Sequence, residues 1–256
     1  MTFGQPGFNW QAAPVPAQPH ALVSERLAFL RKVYSLFTGS IVFSALGAVF
    51  ALYAGLGTSQ RVLETETGKV VVPPLVAFFA QHWGVSLVVM LGAVFGASAV
   101  RHKPGINVVA LFGMAGVMGV VIAPALFFAQ VAAGMGGTIS ASPIRDAFIL
   151  ASAAFVGLSG YALVTQKDFS YMRGALFMGL LVVIAASLLN IFVGSSVLGL
   201  AIASVCVLLF GAYILYDTSR MLRAGATEAV SCAISLYLDF VNLFLALLRI
   251  LGSRRN

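Results

Sequence analysis

The sequence predicts an all-α integral membrane protein with seven transmembrane helices. Composition carries the prediction: 60% of residues are hydrophobic, 9% are charged and the mean hydropathy is +1.00, whereas a soluble domain carries about 25% charged residues. The 256 residues accommodate about seven runs of about 20 apolar residues with short loops, and no second soluble domain. The net charge of +7 does not indicate nucleic acid, because the basic residues are scattered beside apolar runs in the manner of orientation signals. Cys206 and Cys232 sit at or inside apolar runs without paired spacing and read as packing residues, and the isolated His20, His82 and His102 argue against a zinc site.

Taken in order, residues 1–23 are expected to form a disordered tail, rich in Pro, Gly, Gln and Ala up to His20 and without the basic-then-apolar order of a cleaved signal peptide. A transmembrane domain over 24–252 follows, then a short basic tail, 253–256. The amphipathic, basic stretch from Ser24 predicts a short interfacial helix before a first span over about 33–56. A polar connection, 57–72, ends in Pro73-Pro74, and a second span over about 75–100 contains Gly92 and Gly96, whose spacing permits close helix approach. Arg101 to Gly105 makes a basic turn. The third span, about 106–131, carries Pro124 as an expected kink or local break. A fourth span over about 145–165, a fifth over 174–193 and a sixth over 197–216 lead to the last apolar run, Ala229 to Leu251.

With the N-terminus in the cytoplasm, Arg26, Arg31, Lys32, Arg101, Lys103, Lys167, Arg173, Arg220 and Arg223 lie inside, against Arg61, Lys69, Arg145, Arg249, Arg254 and Arg255 outside. The bias is modest and favours that orientation.

The last run contains a residue that lipid-length helices rarely hold. Asp239 stands near its middle, where a carboxylate costs roughly 2.5–3.5 kcal/mol on insertion scales, so it needs a partner or a purpose. In a helix, Ser231, Ser235, Asp239, Asn242, Ala246 and Arg249 recur at spacings of three and four and form one polar or small stripe, expected to face inward with the bulky residues outward. Ser235 and Asn242 would support the aspartate, and a purely structural role for such a stripe, gluing helices by hydrogen bonds, is the simpler reading.

Among the other acids, Glu25, Glu64, Glu66, Asp168 and Glu228 lie in connections or at run ends, and Asp146 opens the fourth run. Asp217 remains, at the inner end of the sixth run, and a short loop makes the last two helices antiparallel neighbours. If the two side chains meet, they cannot both ionise cheaply in a low dielectric, so the pair would share a proton and act as a pH sensor and gate. Deprotonated, two carboxylates offer a weak, transient calcium site, since calcium normally takes six to eight oxygens. That suits a leak in which calcium is the permeant ion and no cofactor is held. An arginine could latch the closed state: Arg101 is one candidate, and Arg220, three residues after Asp217, is the simpler one.

Ile214-Leu-Tyr-Asp217 and Ser235-Leu-Tyr-Leu-Asp239-Phe-Val-Asn-Leu-Phe-Leu-Ala-Leu-Leu-Arg-Ile-Leu-Gly252 closely resemble the signature of the Bax-inhibitor family, bacterial YccA-type members included. Phe29-Leu-Arg-Lys-Val-Tyr34 and Thr165-Gln-Lys-Asp-Phe-Ser170 support the likeness, which covers residues 24–252. The resemblance implies seven helices with the C-terminal one central, and a pH-sensitive calcium leak gated by Asp217 and Asp239, with Arg101 at the latch position. Some bacterial relatives carry an acid inside the second helix, and Leu87 to Val100 has none here. Bacterial relatives are also linked to control of an inner-membrane AAA protease, and the tail before His20 is a candidate contact.

Two functions are therefore expected: a proton-gated calcium leak channel, or a regulator that binds a membrane protease. The setting is a bacterial inner membrane, with lipid, calcium and protons as partners. An enzyme is not expected, because no Ser/His/Asp set, phosphate-binding Gly loop or Gly-x-Gly-Asp motif is visible.

Overall fold

A computed structural model describes residues 19–54, 61–65, 68–135, 142–223 and 228–253. The expected tail up to residue 18 and the basic residues 254–256 lie outside the described residues. Helix α1 (Pro19–Tyr53) begins inside the segment assigned to the tail, and it joins the expected interfacial helix and first span into one element. No Gly or Pro interrupts the sequence between Pro19 and Gly39, and proline suits the first helical position.

The polar connection contains an antiparallel hairpin, β1 (Arg61–Thr65) with β2 (Gly68–Val72), in which Val62 pairs with Val71 and Glu64 with Lys69. Val62, Val70, Val71 and Val72 are β-branched, and that preference outweighs the polar character of the segment.

The expected continuous second span is not continuous. It is built as α2 (Pro74–Gln81) and α3 (Trp83–Ala99), bent by 96° at His82, whose backbone is non-helical. The break is stabilised locally: Ser86 Oγ donates to the carbonyls of Phe79 (3.0 Å) and His82 (3.3 Å), and His82 Nδ1 lies 3.0 Å from the Phe78 carbonyl. In lipid a helix can break only where its freed backbone groups are satisfied in this way.

Gly92 and Gly96 of α3 are not at a close approach, since a Cβ on either would meet nothing within 4 Å. The close approach lies instead between α1 and α4 (Ile106–Met135). A Cβ at Gly47 would strike the Gly116 carbonyl, and one at Gly119 would strike the Ser44 carbonyl and lie 2.9 Å from the Ala48 nitrogen. Of the kink or local break expected at Pro124, the break is absent: α4 runs through it as one helix.

Helix α5 (Pro143–Thr165) starts on Ser142, whose side chain accepts from the Arg145 amide, and ends at Gln166 in a left-handed conformation, φ 50°. A 3-10 turn (Ser170–Met172) leads into α6 (Arg173–Val193), followed by α7 (Ser196–Met221) and α8 (Ala229–Ser253).

Among the described residues six helices are long and apolar enough to cross a membrane, or seven if the bent α2–α3 pair makes one span. The chain is a multi-pass membrane protein with an α-helical bundle. Helix α8 packs on α1, α4, α5 and α7. In its most apolar stretch 72% of residues are buried, against 11% for α6, which rests chiefly on α7. Burial on almost every side corrects the expectation that α8 turns its bulk outward. Leu236, Phe240, Val241, Phe244 and Leu248 are buried alongside Asp239, because other helices surround this one where lipid was expected.

Candidate functional site

Asp239 lies ten residues into α8, about 15 Å from its start. Its residue surface is 6% exposed. Asp217 stands four residues before the end of α7. The two carboxyl groups lie within hydrogen-bonding reach of each other. Asp239 Oδ2 is buried without a hydrogen-bond partner. A charge taken out of water without pairing costs several kcal/mol, so two facing carboxyls are most economically held with one proton between them. Chemically, the pair can bind one proton at a shared position, and it presents anionic oxygens when that proton leaves.

The nearest cation is Arg220, whose Nη1 lies 3.4 Å from Asp217 Oδ1. Arg220 is 45% exposed and the Asp217 side chain only 11%, so this pair forms the mouth of the site, with the acid inside and the base at the rim. A cavity of about 530 Å³, lined by Arg173, Phe177, Tyr213, Tyr216, Asp217 and Arg220, opens onto it between α6 and α7. Arg101 is placed elsewhere, in the exposed turn after α3, where its Nε donates to His102 Nε2 at 2.9 Å and its carbonyl accepts from Asn107. Asp217, Asp239 and Arg220 are thus brought together, and Arg101 is not among them.

The supporting stripe divides. Ser235 is half-buried one turn before Asp239. Asn242 donates its amide to the Leu238 carbonyl of its own helix at 2.8 Å, and it lines a second cavity on the far side of Asp239. Among the described residues no group of three or more His, Cys, Asp or Glu side chains could hold a metal ion.

Several residues that hold α8 in place escaped the sequence reading. The hydroxyl of the fully buried Tyr237 donates to Ser44 Oγ of α1 at 3.1 Å and lies 3.5 Å from the Ala115 carbonyl of α4. Tyr237 precedes Asp239 by two residues in the Leu-Tyr-Leu-Asp run, and a buried hydroxyl in an apolar run is itself a signal, since it must find a partner. Phe240 is gripped edge-on by Phe37 and Phe155, whose rings stack at 4.4 Å. Ser159 and Thr218 share a hydrogen bond of 3.1 Å between α5 and α7, with the buried Tyr34 hydroxyl facing both.

At the same end, the loop before α6 is pinned to the end of α7. Arg223 pairs with Asp168 at 2.7 Å and with Ser219 Oγ at 3.0 Å, and Ser219 Oγ accepts from the Phe169 amide. Hydrogen bonds from the Ser170 hydroxyl and amide hold the Asp168 carboxyl below the usual carboxylate range, with Arg223 adding to the effect. These contacts give the run from Thr165 to Ser170 a structural job: it anchors the segment next to the acid pair.

A family model described as inhibitor of apoptosis-promoting Bax1 matches residues 26–256. An uncharacterized membrane protein of Vibrio cholerae is 37% identical over 227 residues, covering 89% of this chain and 90% of its own. Mouse protein lifeguard 4 is 32% identical over 245 residues, 95% and 91% of the two chains. The Escherichia coli protein named modulator of FtsH protease YccA is 31% identical over 223 residues, 87% and 89% of the two chains, and the same relative from another strain is named an inner membrane protein. With a family match over nearly the whole length and relatives above 30% identity, the chain belongs to the Bax inhibitor family.

Proposed function

We propose that this chain is a regulatory protein of the bacterial inner membrane that binds and modulates a membrane-bound AAA protease. The supporting observation is its 31% identity, over 87% of its length, to a protein named modulator of FtsH protease. The acid pair gives such a regulator an internal setting. With a proton between Asp217 and Asp239, α7 is held to α8; without it the carboxylates repel and the α7–α8 contact loosens. The test is turnover of a membrane substrate by an FtsH-type protease in proteoliposomes with and without this protein. Turnover should change when it is present, and equal rates would overturn the reading.

A second reading is favoured by the geometry: a proton-gated calcium leak, with Asp217 and Asp239 as sensor and transient cation site and Arg220 as the rim cation. Cavities on both sides of the pair support it, the 530 Å³ mouth at Asp217 and a space reached by Asn242 one turn beyond Asp239. Calcium flux into liposomes should depend on pH in the native protein and lose that dependence in Asp217→Asn and Asp239→Asn. An unchanged profile in both would remove this reading. On either account α2 and α3 together form one of seven spans, the N-terminus faces the cytoplasm, and the protein acts without catalysing a reaction.

A further inference from the structure

The second cavity, about 570 Å³, is a groove on the half of α8 away from the acid pair. Its volume falls within the roughly 300–1,000 Å³ of small-molecule sites. Asn242, Ala246 and Arg249 of α8 form its floor, with Ala129 of α4 and Ala203 and Cys206 of α7 in its walls. The small side chains open the space. From Asn242 to Ser253 the floor runs about 17 Å at the helical rise, the reach of a substantial part of one acyl chain.

The charge at its end is uncompensated. Among the described residues Arg249 forms no ion pair, and no acidic residue follows Asp239 in the chain, whereas Arg254 and Arg255 do. The guanidinium is also seated. It lies against Gly199 of α7, where a Cβ would stand 2.9 Å from Arg249 Cζ and 3.3 Å from the Asn190 amide nitrogen, so a larger residue there would displace the guanidinium. Asn190, one turn beyond the groove residue Ser187 on α6, has a buried Oδ1 without a partner. The guanidinium and the Asn190 amide nitrogen therefore converge beside Gly199, and among the described residues no carboxylate pairs with the cation. Arg249 lies only about 6 Å before the last residue of α8, and a spanning helix of this length carries its last turn toward the lipid interface.

We propose that this groove takes one acyl chain of an anionic phospholipid, whose phosphate is held by Arg249 beside Asn190. The apolar alanine walls suit the chain, and the unpaired cation suits the phosphate. The site does not depend on the protease reading; the calcium reading uses the same cavity.

The full-length protein, purified in detergent, is placed in nanodiscs of phosphatidylcholine with and without phosphatidylglycerol. Native mass spectrometry then counts the lipid retained after extraction. Retention of one phosphatidylglycerol per chain is expected, in preference to phosphatidylcholine. Arg249→Gln should weaken retention about tenfold, the loss of one charge-assisted hydrogen bond, and Arg249→Lys should keep most of it. In Cys232→Ser, where Cys206 is the remaining thiol, phosphatidylglycerol should slow maleimide labelling of Cys206, which needs no change at the proposed site. Equal retention of phosphatidylcholine would overturn the proposal, as would unaltered binding in Arg249→Gln. Protection of Cys206 by inorganic phosphate alone would reduce the site to an anion site and overturn its lipid part. Labelling indifferent to every lipid, as a seat for a partner helix would give, overturns it as well.

Discussion

The two charged positions of α8 make opposite arrangements from the same material. Asp239 is enclosed by four helices, meets a second acid, and reaches a cation only through Asp217 and Arg220 at the rim. Arg249, ten residues along the helix, has no acid beside it among the described residues and lies exposed over a groove of alanines. The difference teaches that depth sets the tolerance for charge. In the enclosed half a charge must be neutralised by a shared proton or a partner, whereas near the helix end a single guanidinium can stay charged by reaching the interface. A lone polar residue at the core of a bundle is then a switch, and one near its end is an attachment point.

The sharpest way to break this comparison is to exchange the charges. Asp239→Lys puts a larger side chain and a new charge into a filled position, with an expected loss of several kcal/mol. Arg249→Glu should stay within about 1 kcal/mol, as exposed changes do. Thermal unfolding in detergent, read by size-exclusion chromatography after heating, distinguishes them. Equal losses would mean that the two sites do not differ in enclosure.

Next in size is the pH response. The midpoint temperature, followed from pH 5 to 8, should depend on pH in the native protein. Asp217→Asn and Asp239→Asn should each flatten that dependence, and the double variant should add little to either single change, because the proton belongs to the pair. Arg249→Gln should leave the curve's shape unchanged. If the single changes add, the two acids act independently.

Tyr237→Phe removes the hydrogen bond to Ser44 and leaves a buried hydroxyl without its donor, an expected cost of about 1–2 kcal/mol in the same thermal assay. It sharpens the comparison by showing how much of the enclosure of α8 is polar. A change below the error of the assay would assign that enclosure to packing alone.

The smallest effect is expected at Asp168, which is exposed. Because its folded-state carboxyl is held below the ordinary value near 3.8, its contribution is complete above that value and is lost as pH falls through the lowered one. Asp168→Asn should therefore differ slightly from the native protein at neutral pH and converge with it at the acid end. Divergence at low pH would mean that the loop is held by something other than this carboxylate.

How much was legible follows from where the information lies. Membrane residence, the last five long helices and the singular character of Asp217 and Asp239 were visible because hydropathy and the rarity of intramembrane acids are local properties. The break at His82 was hidden inside an apolar stretch, because Ser86 and His82 satisfy the freed carbonyls through contacts no composition window records. Gly92 and Gly96 advertise close packing, yet it falls on Gly47, Gly116 and Gly119, since small-residue spacing marks a permitted approach without naming the partner helix.

By itself the sequence determined that this chain must lie in lipid and that two carboxyl groups would demand an explanation there, because transfer energies act residue by residue. Only the tertiary structure decided which helices enclose α8, that Arg220 stands at the mouth of the acid pair while Arg101 lies in the turn after α3, and that Arg249 reaches a groove through the gap left by Gly199. Those outcomes depend on which helices pack together, and side chains far apart in the chain settle that by shape.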